Sequence, residues 1–347
     1  MKSSSEEPSI WYDKNVSLYQ RFSKEMSDII EKILRANKIP FHSINYRVKE
    51  KDSYLSKCQK DKYKNPVNEV MDVSGIRIIA YTNQDVANIC NVIKKEFNID
   101  PDNSGDKAEV LDDNKVGYLS VHYIAQLNES RTILPEYEEF EGLKSEIQVR
   151  TLLQHAWAEI EHDKNYKFSG VLPMDIKRRF HLVAGVLEMM DREFDNLSND
   201  IEHHKDLIKA DIDNDQLNIF IDSLSINGYL EQKFPDENFR SRFVGLTIIQ
   251  ELNAFGIYNL YQFANLFEHD LISIMKKYDS DLSYTGLIRF AMIVFDSNRY
   301  FNDVFGKAGE GFHISNKLYE MAKEFKIDLR PVVDASMNKA INIDITN

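Results

Sequence analysis

Cysteine is nearly absent: Cys58 and Cys90 are the only two among 347 residues. That excludes a disulfide framework and a cysteine-rich zinc site, and it makes a reducing cytoplasm the expected setting. Long apolar runs are missing too, so no segment reads as a membrane span and no membrane partner is expected. The N-terminus, MKSSSEEPSIWYDK, is acidic and lacks the apolar stretch of a secretory signal. Positive charge is in deficit, with 43 Lys+Arg against 56 Asp+Glu and a formal net charge of -13. A field of that sign argues against broad electrostatic binding to nucleic acid, although it leaves room for a local basic site. What remains is an ordinary globular composition, 43% hydrophobic and 29% charged. Its length suits two domains.

A local basic site is present. Residues 41–64, FHSINYRVKEKDSYLSKCQKDKYK, carry seven Lys/Arg against three Asp/Glu. By charge alone this is a solvated helix face, but in an acidic chain it is also a candidate cradle for polyphosphate. Around it the pattern alternates helix and strand. Val16, Tyr19, Phe22, Met26, Ile29, Ile30 and Leu34 make the apolar stripe of a helix over about 14–36. A short strand is expected at 43–48, a basic helix at 52–63, a buried strand within DVSGIRIIAYT (72–82) and a helix at 85–97. Residues 99–116 read as loop, 117–127 as an alternating strand and 143–149 as another. A helix then starts at Thr151, and a long helical segment runs from Pro173 to about Ala210. Residues 12–170 therefore form a mixed α/β unit within a first domain of 1–210. Residues 211–347 read as a second, helical domain of unstated role. In it, ELNAFGIYNLYQFANLF is a helix-turn-helix packing unit, and GKAGEGF (306–312) is a loop that lacks the features of a phosphate-binding motif.

Two readings compete for the chemistry. His155, Glu159 and His162 share one helical face, and Glu159-x-x-His162, with an echo at Asp200-x-x-His203, has the form of a di-iron element. A di-iron bundle needs four long helices, and here the first element follows directly on a strand. Hydrogen bonding at a helix–sheet junction is the commoner role for such residues. The other reading lies on the strands. Glu146, Gln148 and Arg150 alternate on one strand face, and Asp72 sits at the mouth of the strand 74–82. Two carboxylates from neighbouring strands suit Mg²⁺, which takes few protein ligands when it also holds substrate phosphates. Arg47, Lys49, Ser53 and Lys57 would face those phosphates, while Tyr118, Ser120 and His122 add an aromatic face and two hydrogen-bonding groups.

Four elements in chain order, RVKEKDSYLSK, DVSGIRI, GYLSVHY and EIQVRTLLQHAWAEIEHDKNYK, resemble the RelA/SpoT-type alarmone synthetases of the small, synthetase-only kind. The likeness spans Arg47–Lys167, with flanking helices at 12–37 and 174–210. It implies a nucleotidyltransferase-like mixed β-sheet flanked by helices, followed here by an all-helical C-terminal region. It also implies transfer of the β,γ-pyrophosphate of ATP to the 3′-hydroxyl of GTP or GDP. Under it, Arg47, Lys49, Ser53 and Lys57 hold ATP, and Arg77 packs near the adenine. Asp72 and Glu146 bind Mg²⁺, and Glu146 helps to deprotonate the acceptor. Tyr118 stacks on the acceptor base, with Lys115, Ser120, His122, Gln148, Arg150 and His155 around it.

The chain departs from the family pattern in places. Leu119 stands where many members carry Arg or Gln, and the register of Lys115 is shifted by one. Only 46 residues precede Arg47, so the hydrolase domain of longer members, and alarmone hydrolysis with it, is not expected. Some relatives are toxins that modify the 3′ CCA end of tRNA or make adenosine alarmones, which keeps the chemistry and changes the acceptor. An inactive nucleotide-binding regulator is the third reading, and the intact set of Asp72, Glu146 and basic residues argues against it. A homo-oligomer built through the flanking helices completes the expectations.

Overall fold

The computed structural model of the protein describes residues 6–106, 120–167, 173–235, 237, 239–268, 270–278, 283–305 and 316–329. The chain divides into two compact units, Met1–Ser198 and Asn199–Asn347.

The first unit is a mixed α/β sheet with helices packed on it. Its elements run α1 (Glu6–Ala36), β1 (Ser43–Val48), α2 (Lys51–Cys58), α3 (Pro66–Glu69), β2 (Ser74–Ala80), α4 (Asn83–Glu96) and β3 (Phe97–Ile99). Then come β4 (Gly105–Asp106), β5 (Val121–Leu127), α5 (Glu129–Thr132), β6 (Ser145–Thr151), α6 (Leu152–Lys167) and the first part of α7 (Met174–Asp213), a helix that continues past the boundary at Ser198. The strand order is β1-β2-β6-β5-β3, with β4 on β5. Only β2 and β6 pair in parallel.

Period-two alternation divides the residues of this sheet between its faces. Ile76, Ile78 and Ala80 of β2, Ile147 and Val149 of β6, and Tyr123 and Ala125 of β5 enter one core. Phe22, Met26, Ile30 and Leu34 of α1, with Ile89, Cys90 and Ile93 of α4, close it. The stripe expected on α1 is thus the buried one. The helix starts earlier than its periodicity indicates, because Trp11 and Tyr12 pack on the fully buried Tyr54 of α2. The basic helix stops at Cys58, short of residue 63. Helix α4 begins at Asn83, where Thr82 and Asp85 form a reciprocal capping box. β4 falls inside the stretch read as loop, and β3 runs from the end of the expected helix into its start; two or three residues are too few to show alternation.

Behind the sheet's start, three fully buried serines form a ladder. Ser23 Oγ of α1 donates to the Tyr19 carbonyl at 2.7 Å and lies 2.8 Å from Ser74 Oγ, which is 2.8 Å from Ser145 Oγ. At the sheet's other end, Asp191 of α7 accepts from Thr151 Oγ1 at 2.7 Å, and Asp195 accepts from Asn83 and from the Gln84 backbone.

The second unit is helical among its described residues. Its main helices are α8 (Ser223–Lys233), α9 (Leu246–Ala254), α10 (Leu260–Ala264), α11 (Leu271–Lys277) and α12 (Tyr284–Phe295). Leu230, Leu252, Phe255, Leu260, Phe263, Leu287 and Ile288 are among its fully buried residues. The helix-turn-helix reading of 251–267 holds: α9 ends, Gly256 turns the chain at φ +80°, and Asn259 caps α10. That positive φ favours glycine, and a Cβ there would in addition require the end of the flexible Arg299 side chain, 2.0 Å away, to shift. A buried Glu251 accepts two hydrogen bonds from Arg289, at 2.7 and 2.9 Å. GKAGEGF lies outside the described residues.

Candidate active site

The second face of the same sheet is polar, and its register explains why. Arg47 pairs with Gly75, and Gly75 with Glu146; Asn45 pairs with Arg77, and Arg77 with Gln148; Gln148 pairs with His122. Side chains two residues apart share a face, so four adjacent strands deliver these groups to one surface. An open cleft lies there, lined by Asn45, Tyr46, Arg47, Asp72, Gly75, Ile76, Arg77, Glu146 and Gln148. The two carboxylates proposed from the strands, Asp72 and Glu146, therefore meet in one cleft.

Asp72 sits just before β2, 14% exposed, and its Oδ2 takes Lys49 Nζ at 3.0 Å and Lys57 Nζ at 2.6 Å. Burial pulls the Lys57 amine toward its neutral form, but the hydrogen bond and charge of Asp72, with Tyr63 and Glu146, together outweigh it and the net shift is upward. The Lys57 ammonium thus stays charged beside the cleft. Helix α2 aims Lys57: Tyr54 anchors its inner side, while Ser53 and Lys57, four residues apart, share its outer side. Ser53 is exposed, as is Arg47.

Glu146 is held from two sides. Oε1 lies 3.0 Å from His122 Nδ1, and Oε2 accepts from Gln148 Nε2 at 2.8 Å. His122 Nε2 lies 2.7 Å from Ser120 Oγ, so the three residues form a continuous hydrogen-bonded chain on the β5–β6 pair. Tyr118, Lys115 and Leu119 lie outside the described residues.

Further along the same strands sits a cationic cluster. Arg77 Nη1 donates to Glu159 Oε1 of α6 at 2.8 Å. Arg150, the next same-face residue after Gln148, is not a lining residue of the open cleft. It is 5% exposed, its Nε is buried without a hydrogen-bond partner, and burial followed by the neighbouring Arg77 brings its pKa down to about 10. His155 Nδ1 is likewise buried and unpartnered, 3.7 Å from Glu159 Oε1. Burial, then Arg150 and Arg77, push its pKa below the usual imidazole value.

These contacts weaken the metal reading of the helix. Glu159 is committed to Arg77, His155 lies among guanidinium groups, and the His162 side chain is outside the description. Among the described residues no group of three or more His, Cys, Asp or Glu is placed to hold a metal ion. The cleft fits a different kind of ion site, one with two protein carboxylates and the remaining positions left to water and phosphate. Asp72 Oδ1, buried and without a hydrogen-bond partner, is an acceptor suited to a cation.

Sequence reasoning missed Asn45, which lines the cleft. It precedes Arg47 by two residues, so alternation alone could have placed it on the same face. Outside the cleft, the ion pair of Lys144 with Asp100, at 2.7 Å, holds the Asp100 carboxyl below its usual range and joins residues far apart in the chain, which no local pattern shows.

Residues 46–171 match the family model described as "Region found in RelA / SpoT proteins". Over 169 residues the chain is 27% identical to the GTP pyrophosphokinase YjbM of Bacillus subtilis, covering 47% of this chain and 74% of that protein. It is 25% identical over 167 residues to the GTP pyrophosphokinase YwaC of the same organism, covering 47% of this chain and 76% of that one. Among solved structures, small alarmone synthetase 1 from Bacillus subtilis aligns at 22% identity with a TM-score of 0.48, over 55% of this chain and 98% of that one. Over residues 46–171, this chain carries the region found in RelA/SpoT proteins.

Proposed function

We propose that this protein is a pyrophosphotransferase that moves the β,γ-pyrophosphate of ATP to the 3′-hydroxyl of GTP or GDP, making (p)ppGpp. The observation that carries the reading is the meeting of Asp72, Glu146, Lys49 and Lys57 at one cleft, within a region shared with two GTP pyrophosphokinases. In this reaction the acceptor oxygen bonds to the β-phosphorus as the bond to the α,β-bridging oxygen breaks, and AMP leaves. Transfers of this kind need alignment and charge neutralisation more than covalent participation by the protein.

The residues divide the work. Arg47, Lys49, Ser53 and Lys57 hold the donor's phosphates. Glu146, oriented by His122 and Gln148, takes the proton from the acceptor hydroxyl. Ser120 and His122 line the acceptor side, with Tyr118 as the stacking residue. Asp72 and Glu146 are the residues that would hold Mg²⁺. When bound, the ion supplies charge neutralisation at the phosphate oxygens. Cytoplasmic placement belongs to the same reading; no helix among the described residues is long and apolar enough to cross a membrane.

The test is incubation with γ-labelled ATP, Mg²⁺ and one acceptor at a time: GTP, GDP, ATP or tRNA. Label is expected on GTP or GDP. Label confined to tRNA or to ATP would replace the guanine acceptor, and no labelled product from any acceptor would remove the enzymatic reading.

A homo-oligomer belongs to the reading as well. On α7, Leu182, Val183, Val186, Met189 and Met190 are 47–66% exposed and form one apolar stripe. Lys177, Arg178 and Arg179 precede it, and Glu193 follows. A second copy lying antiparallel would set the basic end of each stripe against the acidic end of the other. Sedimentation should show a dimer or larger assembly, and Val186→Glu with Met190→Glu should shift it to monomer. A monomeric wild type would refute the pairing.

A further inference from the structure

Arg150 at the end of β6 and His155 on α6 have no role in the chemistry above. Arg150 is almost wholly enclosed, with an orphaned Nε–H; His155 has an orphaned Nδ1; and both lie close to Arg77. A guanidinium taken out of water without a full set of acceptors is costly, so an unmet donor in such a place points to a missing partner. The one carboxylate given to the cluster, Glu159, is already bound to Arg77.

Position along the strands indicates which part of a ligand that partner is. Glu146 pairs with Gly75, and Arg150 pairs with Ile79, four residues further along β2. At strand rise this separates the two levels by about 13 Å. If the reacting phosphorus lies by Glu146, that distance reaches the base end of an extended nucleoside triphosphate and passes beyond its phosphates.

We infer that Arg150 and His155 form a subsite that reads the edge of the donor's adenine, Arg150 Nε–H donating to a ring nitrogen and His155 Nδ1 accepting from the 6-amino group. This rests on the proposed transferase reading and moves both residues from the acceptor side to the donor side. Adenine presents an amino donor beside a ring-nitrogen acceptor. Guanine presents a carbonyl where that donor would be, so it would leave His155 facing an oxygen. The low basicity of His155 fits the role, because only the neutral ring can accept at Nδ1. Arg77, pinned by Glu159, would lie against the base rather than read its edge.

Calorimetry with α,β-methylene ATP and with the same analogue of purine riboside, which lacks the 6-amino group, tests this without turnover. The wild type should bind the adenine form roughly tenfold more tightly. His155→Ala should abolish that preference and leave the acceptor KM unchanged. Arg150→Lys keeps the charge, removes the Nε–H and should weaken both analogues alike by a similar factor. No preference in the wild type, a preference retained in His155→Ala, or a change confined to the acceptor KM would each overturn the assignment. Because binding is read without an acceptor, failure of the transferase reading would appear separately, as a retained adenine preference with no labelled product.

Discussion

Glu146→Gln is expected to lower the rate of pyrophosphate transfer by about 1000-fold, within the range for removing a general base, while the protein stays folded. The substitution keeps the shape of the side chain and removes the charge that both proposed roles require. It also disturbs a defined arrangement. Gln148 Nε2 donates to one Glu146 oxygen at 2.8 Å, and His122 faces the other at 3.0 Å. An amide at 146 would turn its own donor toward one of them. Glu146 lies on the polar face of β6, while Ile147 and Val149 fill the core, so the cost should fall on chemistry rather than on packing. The check is initial-rate measurement beside a thermal melt. A rate within a factor of about 10 of wild type would remove Glu146 from the role of base, since general-base catalysis is worth more than that.

Asp72→Asn should have the second-largest effect, a loss of about 100-fold in kcat together with a higher Mg²⁺ requirement, as expected for removal of one anionic ligand. Its cause is different. In the protein, one Asp72 oxygen holds Lys49 and Lys57 together, and the other is buried without a hydrogen-bond partner. With the charge removed, two ammonium groups would face each other across a neutral amide, and the proposed donor cradle would spread. A Mg²⁺ titration of the rate separates this from Glu146→Gln: the Asp72 variant should regain part of its activity at high Mg²⁺, and the Glu146 variant should not. An unchanged Mg²⁺ dependence in Asp72→Asn would count against Asp72 as a ligand.

Much of the fold was legible in the sequence because its strongest signals are local. The stripe on α1 and the apolar runs of β2 and β6 became the core of the first unit. The polar alternation of Glu146 and Gln148 became the floor of the cleft, and the opposing carboxylate was found at Asp72. What escaped was non-local. Arg150 continues the same alternation and therefore looked like another cleft residue, yet it is almost wholly buried. Alternation assigns a face of the sheet; it does not say what covers that face further along. The serine ladder gave no signal either, since Ser23, Ser74 and Ser145 meet only after three separate elements have packed.

The parallel pairing of β2 with β6 has a consequence for the making of the protein. The strand starts that carry Asp72 and Glu146 touch through serines 71 residues apart in the chain, and β5 must also be in place to present His122. Contacts at such separations close late, because loop-closure entropy must be met before they form. On the ribosome, the basic cradle of α2 and the first carboxylate emerge well before the second. A nascent or prematurely ended chain would therefore carry the lysines proposed to hold the nucleotide without the proposed base. Incomplete products would be silent rather than unregulated, a useful order of assembly for an enzyme whose proposed product is a signal.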